Sequence, residues 1–405
     1  MTEIVRIGAR GDGVTDDGRF VPFGVPGDRV EADDTLVPGP DHQVPPCRHF
    51  PECGGCQLQH VTDPAYARWA VERIEHALGS AGVAIGHIEP VHLSPPRTRR
   101  RAALRAVKKG GQLTLGFSAE ASHRIIDLRE CHVLLPELFA LVAPLRALLS
   151  KAVKDGQGAG VTLTVSDSGI DVLLSNVAAR SLPEIERLTD FAAAHGLARL
   201  SVENEAGVET MAQAAEPLIR FGGVAVPLPP AGFLQATRDG EAALVAAVVA
   251  ATLGAGKIAD LFCGLGTFAL PLTAHAKVLA VDAAGPAVIS LQSAARLAGR
   301  LLQAEHRDLF RRPLTPPELD RFDAVVFDPP RAGAVGQVTQ IAASKVPRVV
   351  AVSCNPSSFA RDARLLVDAG YRLERLWPVG QFRWSTHLEL VASFSRGSSA
   401  KMGSI

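Results

Sequence analysis

The carboxyl-terminal half of this sequence predicts an open α/β sheet of mostly parallel strands, and three observations carry that expectation. Strand-like runs at Lys257 to Phe262, Lys277 to Asp282, Ala324 to Asp328 and Arg348 to Ser353 alternate with helical patterns, as crossover-connected parallel strands do. A glycine-rich turn, Cys263-Gly264-Leu265-Gly266, follows the first run and opens a helix. Two later runs stop at proline, in Asp328-Pro329-Pro330 and Cys354-Asn355-Pro356, and proline cannot continue a central ladder.

Upstream the style differs. Residues up to about 35 alternate short apolar runs with Gly and Asp turns, the pattern of a small β-barrel or a piece of one. Val37 to Pro46 carries four prolines and reads as a linker, followed by a cysteine-rich loop from Cys47 to His60. Tyr66 to Leu78 predicts an amphipathic helix, and Arg97 to Gly116 two strands joined at Lys108-Lys109-Gly110-Gly111. From Leu134 to Phe221 strand and helix patterns mix, as in an α+β domain, with a strand at Val161 to Val165 and a helix at Leu182 to Ala194. The Pro-rich Pro227-Leu228-Pro229-Pro230 marks the change to the parallel pattern. The expected parts are 1–40, 41–231 and 232–405.

With 405 residues, two or three domains are expected. Hydrophobic residues at 47% can fill more than one core, while aromatics at 5% give little support to broad base stacking. Lys+Arg and Asp+Glu balance at 42 each, which argues against indiscriminate nucleic-acid binding but leaves local patches open. No run of 18 apolar residues occurs and Met1 to Arg10 lacks a signal-peptide core, so a cytoplasmic protein without a membrane span is expected.

Asp260 to Phe268 links a strand to a helix through Gly264 and Gly266, and ligands of open α/β sheets bind beyond the carboxyl ends of the strands. Asp282 ends the next strand, where a carboxylate can accept hydrogen bonds from both ribose hydroxyls. Ala269 stands where a dinucleotide fingerprint has its third glycine. Asp260 and the later Asp-Pro-Pro favour S-adenosylmethionine instead. Cys354 ends its strand where a parallel sheet places catalytic groups; by itself it reads equally as a nucleophile or a buried structural thiol.

Cys47, Cys53, Cys56 and Cys131 offer four thiols, three of them in a loop with Gly54 and Gly55. Four thiolates suit zinc or an iron–sulfur cluster, and spacing alone does not decide. Arg97, Arg99, Arg100, Arg101, Arg105, Lys108 and Lys109 form a basic run with no acid from 97 to 119. Alternate members on a strand could line one face and contact phosphates, or the run is a solvated face.

Five motifs together resemble the RNA uracil-5 methyltransferase family: Phe233-Leu234-Gln235, Asp260 to Phe268, Asp328 to Arg331, Ser353 to Pro356 and Thr386 to Glu389, all in order. The resemblance spans nearly the whole chain. It implies a class I, Rossmann-like methyltransferase domain, a central α+β domain and a shortened TRAM-like β segment, with helix 62–80 packed on the catalytic domain. It implies Cys354 as nucleophile and Glu389 as general base, and cofactor contacts from Gln235, Phe262, Asp282 and Asp328. Thr267, where the family often has Asn, and Asp308, near the adenine, complete that set. Cys53 to His60 resembles the family's [4Fe–4S] loop, which implies Cys47, Cys53, Cys56 and Cys131 as ligands. The expected partner is RNA, 23S rRNA ahead of tRNA, with no DNA and a monomeric protein. The competing readings are an amine-directed nucleic-acid methyltransferase, which would not need Cys354 or Glu389, and an iron–sulfur RNA-binding protein with a vestigial catalytic domain. His387 reads as a structural histidine.

Overall fold

The computed structural model describes residues 2–120 and 122–397. The largest sheet is built on runs whose residues are buried on both faces, such as Ala324–Phe327 and Arg348–Ser353, which is why they read as continuous apolar stretches rather than alternating ones. Its strands are β1 (Lys257–Leu261), β2 (Lys277–Asp282), β3 (Leu302–His306), β4 (Ala324–Phe327), β5 (Arg348–Ser353), β6 (Tyr371–Gly380) and β7 (Glu389–Arg396). Their order is β3-β2-β1-β4-β5-β7-β6, and only β7 runs antiparallel to its neighbours. The order reverses between β1 and β4, so a crevice opens at their carboxyl ends.

Two apolar cores cover the sheet's faces. One takes Leu244 and Val248 of helix Arg238–Thr252 together with Leu291 of helix Gly285–Leu297. The other takes Phe359 and Leu366 of helix Pro356–Asp368. Helix Asp63–Ser80 completes that second face: Tyr66, Trp69, Ile74 and Leu78 are buried in the same core. The short strands His87–Ile88 and His92–Leu93 then pair with β6. An amino-terminal segment is thus built into the carboxyl-terminal sheet.

The middle of the chain forms a six-stranded sheet with its own core, centred on Leu104, Leu145, Leu163, Val172 and Leu200. Its helix Leu182–Ala194 opens on a capping box, Ser181 with Glu184, which satisfies amides left free at a helix start. At the amino terminus, five short strands within Thr2–Val37 form a separate small sheet. Buried Asp28 accepts bonds from Val25 N at 2.8 Å, Gly39 N at 2.7 Å and His42 Nδ1 at 2.9 Å. One carboxylate thereby ties this sheet to the proline-rich stretch beyond it. No helix among the described residues is long and apolar enough to cross a membrane.

Candidate active site

The crevice begins with a backbone under constraint. Phe262 takes a positive φ of 63°, a region that bulky residues rarely adopt. Gly266, at φ 91°, has no room for a side chain: an added Cβ would lie 2.5 Å from Leu291 Cδ1. Asp282, at the end of β2, holds the loop by accepting from Gly264 N at 2.8 Å and Ala284 N at 2.7 Å. A carboxylate has about four lone pairs, so Asp282 can still accept from a ligand. The Phe262 ring meets Phe310 at 5.4 Å between centroids. Asp308 caps the turn that presents Phe310, accepting from its amide at 2.9 Å. Thr267, half-buried in the loop, donates no side-chain hydrogen bond among the described residues.

Asp260 is fully buried and neither carboxylate oxygen finds a partner of normal hydrogen-bond geometry. Burial, and then Asp328, push its pKa well above the carboxylate range, and the Ala269 amide offsets this only in part. Asp328 keeps some solvent contact, yet desolvation and then Asp282 raise it to about 7. Three acids around one loop with an orphaned carboxyl form a site short of positive charge. The ammonium and sulfonium of S-adenosylmethionine would supply it, so the residues fit that cofactor. Gln235, buried nearby in sequence-distant company, accepts from Gln381 Nε2 at 2.7 Å.

Strand register sets the reacting groups side by side. Ser353 pairs with Leu390 across β5 and β7, so Cys354 and Glu389 emerge together at the sheet end where Asp328 follows β4. Asn355 caps the helix after Cys354, accepting from Ser357 N at 3.1 Å, and donates to Arg331 O at 3.1 Å. Ser358 Oγ donates to the same carbonyl at 3.0 Å. These bonds fix the Asp-Pro-Pro-Arg turn against the Cys354 turn. Cys354 is half-buried, and burial, then Glu389 and Asp328, push its thiol up to about 12 while Arg331 opposes. Glu389 is buried; desolvation and then Asp328 raise it to about 8, against Gln381 and Arg331. Burial therefore favours the neutral form of both groups.

The four other sequence-singled cysteines converge. Cys47, Cys53, Cys56 and Cys131 line one pocket with Phe117 and Arg99. Gly54 is required there, since an added Cβ would stand 2.8 Å from Ser118 O. Burial raises all four thiols, Cys56 to about 12, and Cys47, Cys53 and Cys56 are raised further by other members of the set. Among the described residues no three His, Cys, Asp or Glu side chains stand close enough to hold a single metal ion. Four thiols on one pocket are the donor types that zinc or an iron–sulfur cluster takes.

The basic run does not act as one track. Arg100 is buried, bonded to Glu241 at 2.5 Å and to Gln235 O at 3.2 Å; losing one partner of such a pair costs about 3–5 kcal/mol, so this arginine is structural. Arg99 stacks over Phe382 at 5.2 Å and lines the cysteine pocket. In strand Arg101–Lys109, Ala102, Leu104 and Ala106 face the core, which turns Arg101, Arg105 and Lys109 outward, while Lys108 reaches Ser150 O at 2.6 Å. Arg101 lies over the exposed Phe233 ring at 5.4 Å.

Sequence reasoning missed what holds the segment before Glu389. Tyr66 Oη donates to Ser385 O at 2.9 Å, Arg73 donates to Thr386 O, and Gln57 and Leu58 amides reach Trp384 O at 2.7 and 2.8 Å. Trp384 is buried against Cys56 and Val133. A tyrosine and an arginine on the half-buried side of a helix were the only signal, and a weak one.

A profile of the tRNA (uracil-5-)-methyltransferase family matches residues 241–396. An uncharacterized RNA methyltransferase of Zymomonas mobilis is 45% identical over 98% of this chain and 100% of its own length. The 23S rRNA (uracil(1939)-C(5))-methyltransferase RlmD of Shewanella amazonensis is 32% identical over 93% of this chain and 90% of its own. The Pyrococcus abyssi tRNA (uracil-54, C5)-methyltransferase, solved with S-adenosyl-L-homocysteine, superposes with a TM-score of 0.76 at 22% identity, covering 97% of this chain and 99% of that one. At that identity it supports the shared fold alone.

Proposed function

The chain belongs to the RNA uracil-5 methyltransferase family, and from that premise we propose that it methylates carbon 5 of a uridine in 23S rRNA through a covalent Cys354 adduct. The observation that carries the mechanism is the strand register that pairs Ser353 with Leu390 and so sets Cys354 beside Glu389.

Carbon 5 of uracil is too weak a nucleophile to take a methyl group unaided. Cys354 Sγ, its proton given up to solvent, adds to carbon 6 as the thiolate, and the electron pair of the 5,6 double bond moves to an enolate. S-adenosylmethionine supplies the methyl group as an electrophile. The Glu389 carboxylate then removes the proton from carbon 5, the double bond re-forms, and the thiolate leaves. Covalent catalysis replaces one hard step with easier ones. Arg331, which opposes the upward shift of both Cys354 and Glu389, favours their working, ionised forms. Asp260 and Asp328 face the positive charge of the cofactor, Asp282 its ribose, and Phe262 with Phe310 its flat base; Gln235, Thr267 and Asp308 complete that surround.

Cys47, Cys53, Cys56 and Cys131 would hold a [4Fe–4S] cluster. The large-subunit RNA is favoured because the 32%-identical relative that spans the chain acts, by its name, on 23S rRNA. Wild type and two variants test the chemistry. With RNA and S-adenosylmethionine, Glu389→Gln is expected to accumulate a protein–RNA species resistant to denaturant, because methyl transfer proceeds but proton removal does not. Cys354→Ala is expected to form none. Turnover of Glu389→Gln at the parent rate would refute the assignment.

A further inference from the structure

Two guanidinium groups and an imidazole from separate stretches of the chain stand around Cys354 and Glu389. Arg73, on helix Asp63–Ser80, donates to Thr386 O, the residue before His387. Arg331 closes the Asp-Pro-Pro-Arg turn, is solvent-exposed, and is held at its carbonyl by Asn355 and Ser358 beside Cys354. His387 stands two residues before Glu389 with its ring edge-on to Phe382 at 5.8 Å. Among the described residues none of the three side chains has a carboxylate within ion-pair distance, although twenty-one such pairs occur elsewhere. Burial and then Arg331, Arg73 and Arg99 lower His387, and Arg331 also disfavours the charge on Arg73. Clustered like charges cost free energy unless an anion joins them. Arg331 is exposed and Arg73 half-buried, so both remain open to an anion that approaches from solvent.

We infer that Arg73, Arg331 and His387 form a cradle for the phosphate adjoining the target uridine. A base in folded RNA must swing out of its stack to reach Cys354, and the swing carries its own sugar–phosphate linkage to the pocket mouth, where these groups stand. Guanidinium groups match phosphate oxygens in pairs. The cradle gives the protein a hold on RNA that ignores sequence, and places it at the one nucleotide whose position decides reaction. His387 is then a ligand-facing side chain rather than a structural histidine. The inference rests on Cys354 and Glu389 being the reacting pair.

A five-residue uridine oligoribonucleotide tests it, with one linkage beside the central residue made a neutral methylphosphonate. Its binding to wild type, Arg331→Ala, Arg73→Ala and His387→Gln is measured by fluorescence anisotropy with S-adenosylhomocysteine present. In wild type the neutral linkage on one side is expected to weaken binding about tenfold. In Arg331→Ala the natural RNA is expected to bind about tenfold more weakly, and the neutral linkage to cost less than twofold more. Arg73→Ala is expected to behave alike, and His387→Gln to show the same pattern with a smaller loss. Losses that multiply in Arg331→Ala, or a neutral linkage that matters on neither side, overturn the cradle. Arg331 is exposed, so that variant bears the test even where Arg73→Ala fails to fold. Capture of 5-fluorouridine RNA at saturating concentration separates the premises. With S-adenosylmethionine in place of S-adenosylhomocysteine, carbon 5 takes the methyl group and keeps a fluorine that cannot be removed as a proton, so Cys354 is expected to stay bound to carbon 6. Capture without coupling leaves the Cys354 reading intact and removes the cradle; coupling without capture does the reverse.

Discussion

Five of the six cysteines lie in two pockets, and the pockets differ in what surrounds the sulfur. Burial raises the thiol in both, to about 12 at Cys354 and at Cys56 alike. Around Cys354 the next contributors are carboxyl groups, Glu389 and Asp328, opposed by Arg331. Around Cys56 the groups that raise it further are the other thiols. Low polarity alone therefore does not distinguish a reactive thiol from a ligand. The neighbours do: a single thiol beside acids that can exchange protons suits transient chemistry, and clustered thiols that disfavour one another's ionisation call for a cationic centre. One segment links the two sites, because Trp384, five residues before Glu389, packs on Cys56.

The largest expected effect separates the pockets. Cys354→Ala is expected to lower turnover on the order of 10⁴-fold or more, with iron content and melting temperature unchanged. Cys56→Ser is expected to lose iron and sulfide, and to lower Tm by about 5–10 °C, because the free energy of binding a structural centre is folding free energy. Anaerobic purification followed by iron analysis, calorimetry and single-turnover kinetics reads all three. Stoichiometric zinc, or unchanged iron in Cys56→Ser, would break the comparison.

A pH profile sharpens it. Glu389 is raised to about 8, chiefly by desolvation, and its working form is the carboxylate. Resolution of the adduct is therefore expected to rise about tenfold per pH unit below 8, and to level off above it. The limb is expected to vanish in Glu389→Gln and to persist in Cys56→Ser. A limb near the ordinary value of 4.5 would mean that the pocket does not desolvate the base.

Legibility in the sequence followed the same divide between local and distant neighbours. The parallel strands were readable because residues such as Val349, Val350 and Val352 are buried on both sheet faces, and the turn motifs stand at strand ends that a parallel sheet gathers. The convergence of the cysteine loop was readable because three of its cysteines fall within ten residues. Arg100 was not, since its partner Glu241 lies 141 residues away. Two-residue strands such as Arg29–Val30 carry too little pattern to be drawn from sequence. Nor does any local signal reveal that helix Asp63–Ser80 reaches Ser385 and Thr386 through Tyr66 and Arg73.

The smallest expected effect falls outside both pockets, on the strand that sequence alone read as a basic track. Of its arginines, Arg100 is neutralised by Glu241 and Arg99 is stacked between Phe382 and the cysteine pocket. Arg101 and Arg105 remain on the outward face, and Arg101 shares that face with the exposed Phe233 ring. Side chains placed in this way bind phosphate through counterion release, and the logarithmic salt slope falls by about 0.7 for each single-strand phosphate that is no longer neutralised. Arg101→Ala with Arg105→Ala is therefore expected to reduce the slope by about 1.4 and to weaken RNA binding by about 3- to 10-fold near 0.15 M salt. S-adenosylhomocysteine affinity and the pH limb of Glu389 are expected to stay as in wild type, because neither arginine is ion-paired or hydrogen-bonded through its side chain to Asp260, Asp282, Asp328 or Glu389. Arg99→Ala is expected to act differently, disturbing iron retention through the cysteine pocket before it changes the salt slope. An unchanged slope in the double variant would make this strand a solvated face, and would leave the proposed cradle of Arg73, Arg331 and His387 to meet the RNA.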